Sequence, residues 1–211
     1  MTIKLHCFGE SGNAYKAALT LALTETPWEP VFVDFFNGGA RDPEFLKLNV
    51  MGEVPVMQEG DTILTQSGVM QDYISSKTGK LGGQSAAERR ELLRWMFFDN
   101  HKLSGVAGML RFQMNFLPEE KRNADVIAFV SMRMHAALKT LERQLDGRDW
   151  VATDNPTIAD IACAGYLYYP EPFTFDRADY PNIDRWLDQL AALPGWQHPY
   201  DLMPGSPADR A

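Results

Sequence analysis

The 211 residues include 45% hydrophobic side chains, enough for one large or two small packed cores, and carry a formal net charge of -8. That acidic balance disfavours nonspecific binding to nucleic acid or to an anionic membrane, which needs a cationic face. No apolar run approaches the roughly 20 residues of a membrane span, the amino terminus lacks a signal-peptide core, and Cys7 and Cys163 stand too far apart in sequence for a Cys-X-X-Cys redox or zinc motif. A cytoplasmic protein with two buried cysteines is the expectation.

Ile3 to Cys7 alternates apolar and polar residues as a short strand, and Gly12 to Leu23 repeats Ala18, Leu19, Ala22 and Leu23 at helical spacing. Ser11 and Asn13 stand at the turn between them, where such residues often cap a helix. Trp28 to Phe35 reads as a second strand, Gly38-Gly39 as a flexible loop, and Asp42-Pro43 as the start of a short helix through Leu48. Val54 to Met57 and Thr62 to Leu64 then form a hairpin across Gly60-Asp61, and a helix runs from Gln66 to about Lys77.

The Val54-Pro55 pair is the most telling local feature. Proline contributes no amide hydrogen to a central ladder, so it marks an edge or a special bend. A cis bond there would turn the backbone outward and leave the amide and carbonyl of Val54 for an extended, peptide-like ligand. Gln66-Ser67 opens the next helix near that bend, and helix amino ends favour carboxylates. The two features together describe a tripeptide-binding site.

From Thr78 to Ser85 the composition turns to Gly, Lys, Ser and Gln, as in a linker, and everything beyond reads as helix. The predicted helices run from Ala86 to about Phe116, from Pro118-Glu119-Glu120 to Gly147, from Thr157 to about Tyr168, and from Ile183 to Leu193. Thr157 and Asp160 suit a capping box, with Asp where Glu or Gln is usual. Pro199 to Ala211 reads as a loosely ordered tail that could fold over a cleft.

Four segments, Ser11-Gly12-Asn13-Ala14-Tyr15-Lys16, Val54-Pro55, Gln66-Ser67 and Pro156-Thr157-Ile158-Ala159-Asp160, occur in an order and spacing that resembles the cytosolic glutathione transferases, especially bacterial members with a serine near the amino terminus. The resemblance runs from about Ile3 to about Trp196. It implies an α/β plus all-α fold: a thioredoxin-like, glutathione-binding domain over residues 1–78, a linker over 79–85, and a helical bundle over 86–211 with a hydrophobic co-substrate site.

The resemblance also implies roles. Ser11 is the leading catalytic residue, its hydroxyl donating to the glutathione thiol and stabilising the thiolate together with the positive end of the following helix. Asn13 is its assistant or substitute. Cys7 lies inside the first strand, away from the catalytic turn, and Tyr15 lies inside the helix as a packing residue. Val54 would pair with the cysteinyl backbone beside Pro55, Gln66 and Ser67 would hold the γ-glutamyl end, and Arg41 would meet the glycyl carboxylate. Ala40 and Glu53 depart from the family pattern, and Glu53 sets an acid beside a site for an acidic ligand.

The second substrate, a hydrophobic electrophile, is expected against Phe8 and the aromatic and methionine-rich helix after the linker, at Phe98, His101, Met109 and Phe112. Some of that stripe must instead fill the core. The four histidines lack metal-ligand spacing, so glutathione is the expected co-substrate and no metal is expected. Transfer, isomerisation, dehalogenation, peroxide reduction and ether cleavage all use the same bound thiolate. A noncatalytic glutathione-binding or protein-interaction module is the competing reading, and a homodimer is implied in either case.

Overall fold

The computed structural model describes residues 2–205. The last six residues of the tail, and Met1, lie outside the described residues. The chain divides into two compact units, one containing the residues up to Lys80 together with the segment from Pro194, the other spanning Leu81–Leu193. The segment after Leu193, counted with the helical part in the sequence reading, thus groups with the sheet.

In the first unit, β1 (Ile3–Cys7) buries Ile3, Leu5 and Cys7 and exposes Lys4, as its alternation requires. Helix α1 (Gly12–Leu23) follows, then β2 (Trp28–Phe32), the short helix α2 (Pro43–Leu48), β3 (Val56–Glu59), β4 (Thr62–Thr65) and α3 (Ser67–Thr78). The strands order as β2-β1-β3-β4, with β1 parallel to β2 and antiparallel to β3, and β3 antiparallel to β4. This is the mixed four-stranded, thioredoxin-like plan. Pro30 sits on the edge strand β2, where its missing amide costs no central ladder bond.

Two expected boundaries shift. The second strand stops at Phe32: the Val33 amide makes a last bond to β1, at the Cys7 carbonyl 2.9 Å away, and the chain then turns, the Phe35 amide donating to the Val33 carbonyl at 2.8 Å, into a 3₁₀ turn at Phe35–Asn37. Val54 and Pro55 precede the third strand instead of entering it, and their peptide bond is cis. Pro55 therefore occupies a bend at the mouth of a central strand, not an edge.

Helices α1 and α3 pack together, joined by a buried bond in which the Gln71 side-chain amide donates to Thr20 Oγ1 at 3.3 Å. Val33, Ala40, Phe45 and Val56 form a separate small core. The closing segment is tied down: Tyr15 donates its hydroxyl to the Gln197 carbonyl at 2.8 Å, and the Gly9 amide donates to the Pro204 carbonyl at 2.7 Å. Residues Pro199–Leu202 are helical, with Pro199 and Met203 buried, so this part of the tail is ordered, contrary to its Pro- and Asp-rich composition.

In the second unit, α4 (Ala86–Phe98) begins at a Ser85–Glu88 capping box and continues through a π-helical turn (Asp99–Ser104), α5 (Gly105–Arg111) and a second π-helical stretch (Phe112–Phe116). The sequence places the next helix start at Pro118, but only a 3₁₀ turn forms at Glu119–Lys121. Helix α6 (Ala124–Gln144) starts instead at Asn123, whose side chain accepts from the amides of Asp125 and Val126. Helix α7 (Ile158–Ala164) is shorter than predicted, because the Gly165 and Leu167 amides turn to carbonyls three residues back. Helix α8 (Pro181–Ala191) begins with proline in its first turn, and α9 is the Pro199–Leu202 helix already described. The core of this unit draws on α4 to α8, with Trp95, Leu110, Leu141, Cys163 and Trp186 among its buried members.

Candidate active site

Ser11 lies in the turn between β1 and α1, 8% exposed, in an extended conformation that caps the helix: its Oγ accepts from the Ala14 amide at 3.2 Å. Accepting that bond leaves the hydroxyl's own hydrogen to donate. No acidic residue lies in the first turn of α1, so no carboxylate there offsets the helix's positive end. The cap and a thiol-directed donor are thus compatible roles for one oxygen. Asn13, one residue inside the helix, is half-buried. Glu10, immediately before Ser11, is buried to 3% exposure, which its charge gave no reason to foresee.

Two of the residues weighed beside Ser11, Cys7 and Tyr15, are buried. Cys7 is fully buried in β1, and burial pushes its thiol up to about 12 against the smaller lowering effect of a backbone hydrogen bond at Val31. Tyr15 is buried and holds the closing segment.

The loop leading to Val54 is shaped by a residue that the sequence reading passes over. Asn49, buried between α2 and the bend, donates its side-chain amide to the Glu53 carbonyl at 2.8 Å and accepts from the Met51 amide at 3.1 Å. Between those anchors Gly52 adopts φ +61°, and a Cβ there would come within 2.8 Å of an Arg41 guanidinium nitrogen and 3.0 Å of the Ala40 carbonyl. Glycine therefore lets the exposed Arg41 lie against the loop that carries Val54. An Asn-X-X-Gly sequence ahead of Val-Pro was the available signal. Among the described residues, neither the amide nor the carbonyl of Val54 has a hydrogen-bond partner.

Helix α3 begins just beyond the hairpin. Gln66 holds φ +68°, unusual for a residue with a side chain, and no side chain caps the helix behind it. The Gln66 carbonyl accepts from Val69 and Met70, and the amides of Ser67 and Gly68 are first-turn donors that the helix itself leaves without a partner. The Gln66 side-chain amide reaches Oε2 of Glu53 at 3.4 Å and the sulfur of Met51 at 3.4 Å. Glu53, the departure noted in the sequence, is exposed and shares this contact.

The residues read as co-substrate contacts fall on both units. Phe8, in the first, is 7% exposed and stacks on Phe35 at 4.8 Å between centroids, with Phe36 edge-on at 5.6 Å. In the second, Phe98 is half-buried edge-on against Trp95, while His101, Met109 and Phe112 are exposed. Among the described residues, no three His, Cys, Asp or Glu side chains are grouped to hold a metal ion, and no helix is long and apolar enough to cross a membrane.

A thioredoxin-like sheet with a backbone edge open at Val54 and an uncapped helix start at Ser67 is followed in sequence by an all-helical unit. Residues 1–76 match the family model for the glutathione S-transferase N-terminal domain, and residues 108–194 that for its C-terminal domain. The chain is 29% identical over 188 residues to glutathione S-transferase GstB of Escherichia coli K12, covering 87% of this chain and 90% of that one. It is 32% identical to a crystal structure of a possible glutathione S-transferase from Rhodopseudomonas palustris, with a TM-score of 0.83 over 94% of this chain and 98% of that one. A glutathione transferase from Burkholderia graminis, solved with two glutathione molecules bound per subunit, is 28% identical with a TM-score of 0.83, covering 92% and 85%. The chain belongs to the glutathione S-transferase family.

Proposed function

We propose that this enzyme binds glutathione along the Val54 bend and the start of α3, activates its thiol at Ser11, and directs the thiolate to a hydrophobic electrophile. The observation that carries the reading is the backbone of Val54, whose amide and carbonyl lack a hydrogen-bond partner among the described residues, in a loop whose Gly52 lies against Arg41. An extended tripeptide would pair its cysteinyl residue with that backbone. Its γ-glutamyl carboxylate would meet the Ser67 and Gly68 amides with the Gln66 side chain nearby, and its glycyl carboxylate would meet Arg41. Pro55 fixes the exit of this edge into β3.

Ser11 would then donate its hydroxyl hydrogen to the sulfur. That bond, with the positive end of α1, favours loss of the thiol proton to solvent and stabilises the resulting thiolate. Asn13 is the next donor in the same turn. Met109 and Phe112 offer exposed apolar surface for the electrophile, and methionine adapts to varied shapes. His101 stands exposed on the same helical run, Phe98 packs against the core of that unit, and Phe8 stacks on Phe35 within its own unit.

The deciding experiment is turnover of an electrophilic substrate by Ser11→Ala and Asn13→Ala, alongside calorimetric affinity for S-methylglutathione. Ser11→Ala is expected to lower kcat by about 100-fold, the order seen when one preorganised donor is removed, with S-methylglutathione affinity unchanged. Unchanged turnover would remove Ser11 from its role, and a loss confined to Asn13→Ala would transfer the role to Asn13. A cytoplasmic homodimer completes the proposal: Val69 on α3 is 52% exposed, and Leu93 and Phe97 on α4 are 37% and 71% exposed, leaving apolar surface for a second copy. Sedimentation at micromolar concentration showing monomer alone would contradict the dimer.

A further inference from the structure

The segment from Pro194 rejoins the sheet unit and follows α1 along its length. It starts at the carboxyl end of that helix, where Gly195 holds φ +91° and a Cβ would come within 3.0 Å of the Ala22 carbonyl. The Gln197 carbonyl accepts from the Tyr15 hydroxyl at 2.8 Å, and α9 packs against α1 with Pro199 and Met203 buried. The Pro204 carbonyl then accepts from the Gly9 amide at 2.7 Å, in the turn that leads to Ser11. Contacts with Ala22, Tyr15 and Gly9, met in that order as the chain advances, make the segment a strap antiparallel to α1.

The strap ends on a part of the chain that needs an outside tie. The Ser11 amide donates to the Phe8 carbonyl at 3.1 Å, closing a turn with Gly9 and Glu10 at its corners. Glycine at the first corner is compatible with several backbone conformations, and each would carry Ser11 to a different place between β1 and α1. The cap from Ser11 Oγ to the Ala14 amide binds the serine to the helix but does not choose among those conformations. The bond from the Gly9 amide to Pro204 does, because it fixes the direction of the peptide at that corner.

We infer that the Pro204 carbonyl is a positioning group for the reaction: acting through Gly9, it holds the Ser11 hydroxyl where the glutathione sulfur takes its hydrogen bond. The inference rests on the role proposed for Ser11. The two ends of the peptide are assigned to Arg41 and to the start of α3, neither of which lies in the β1–α1 turn, so loss of the strap bears on the step at sulfur and not on the hold on the peptide. A misplacement of about 1 Å can cost a reaction ~100-fold in rate, so a turn that only loosens is enough to be measured.

Met203→Asp in the full protein sets a charge at a buried side chain beside Pro204 and should peel the end of the strap away, while a chain stopped after Leu202 removes the Pro204 carbonyl outright. Met203→Ala loosens the same anchor without a charge and keeps the test open if the harsher variants do not fold. Three quantities are read at neutral pH: kcat with an electrophile, calorimetric affinity and stoichiometry for S-methylglutathione, and the ultraviolet absorbance of bound glutathione thiolate. The first two variants are expected to lose about tenfold in kcat with less bound thiolate and S-methylglutathione affinity little changed, and Met203→Ala to show the same split with a smaller loss. A segment that only adds stability would instead lower the stoichiometry while kcat per binding site and bound thiolate stayed at wild-type levels, and that result would overturn the inference alone. Wild-type protein that binds glutathione without forming thiolate would overturn the reading of Ser11 and this inference with it.

Discussion

The first turns of α3 and α7 present the same unsatisfied amides and treat them oppositely. At α7, the Asp160 carboxylate is fully buried and accepts from the Thr157 amide at 2.8 Å, the Thr157 hydroxyl at 2.9 Å, the Val151 amide at 2.8 Å and the Trp186 indole at 3.1 Å. Burial pushes this carboxyl's pKa up while those four donors pull it down. At α3 no side chain closes the turn, and the exposed Glu53 accepts from the Gln66 side chain at 3.4 Å. The helix start closed by its own sequence ties elements of the fold together, whereas the open one leaves its donors to the ligand proposed above. The start of α1 combines the two, because Ser11 caps with its oxygen and retains its hydrogen.

The comparison breaks first at Asp160. Asp160→Ala removes the common acceptor of four buried donors and should destabilise the protein by about 3 kcal/mol or more, read as a large fall in the midpoint of thermal or urea unfolding. A loss below about 1 kcal/mol would show that the closed start is not structural. Asn49→Ala tests the open side. Without its two bonds the Met51–Glu53 loop loses its anchors, and KM for glutathione should rise about tenfold with kcat little changed, a loss of ~1.4 kcal/mol of binding. A fall in kcat at constant KM would assign Asn49 to the chemistry instead of to the edge.

The smallest effect concerns Cys7, the group that burial removes from contention. With its thiol near 12, the thiolate fraction at pH 8 is about 10⁻⁴. Because only the thiolate reacts, and its fraction grows tenfold per pH unit below the pKa, alkylation of native protein should be negligible at pH 8 and rise with pH. Denaturation should expose both cysteines at once. Rapid labelling of native Cys7 at pH 8 would contradict its burial and reopen cysteine chemistry at this site.

What could be read from the sequence was what acts locally. The Val54-Pro55 bend follows from a proline ring, and the Thr157–Asp160 box from a three-residue spacing, so both were legible together with the order of strands and helices. The clasp of Asn49 on Glu53 and the reach of Gln66 to Glu53 depend on a loop closing in three dimensions, and composition says nothing of that. The stripe from Trp95 to Phe116 was ambiguous for another reason. Each π-helical turn adds a residue and rotates the face that follows, so a constant helical period cannot tell the core-packed Phe98 from the exposed Met109 and Phe112. Pro118 misled because proline favours a first helical turn without guaranteeing one, and Asn123 was the better cap.

The central claim is that the open backbone at Val54 and the open start of α3 together hold glutathione. Calorimetric titration of the purified protein with glutathione and with S-methylglutathione at neutral pH tests it most directly. The account predicts saturable binding of both ligands, because the groups assigned to the peptide's two ends do not depend on a free thiol. Absence of binding by either at millimolar ligand would contradict it, and would mean that Glu53 and Ala40 mark a pocket altered for another molecule.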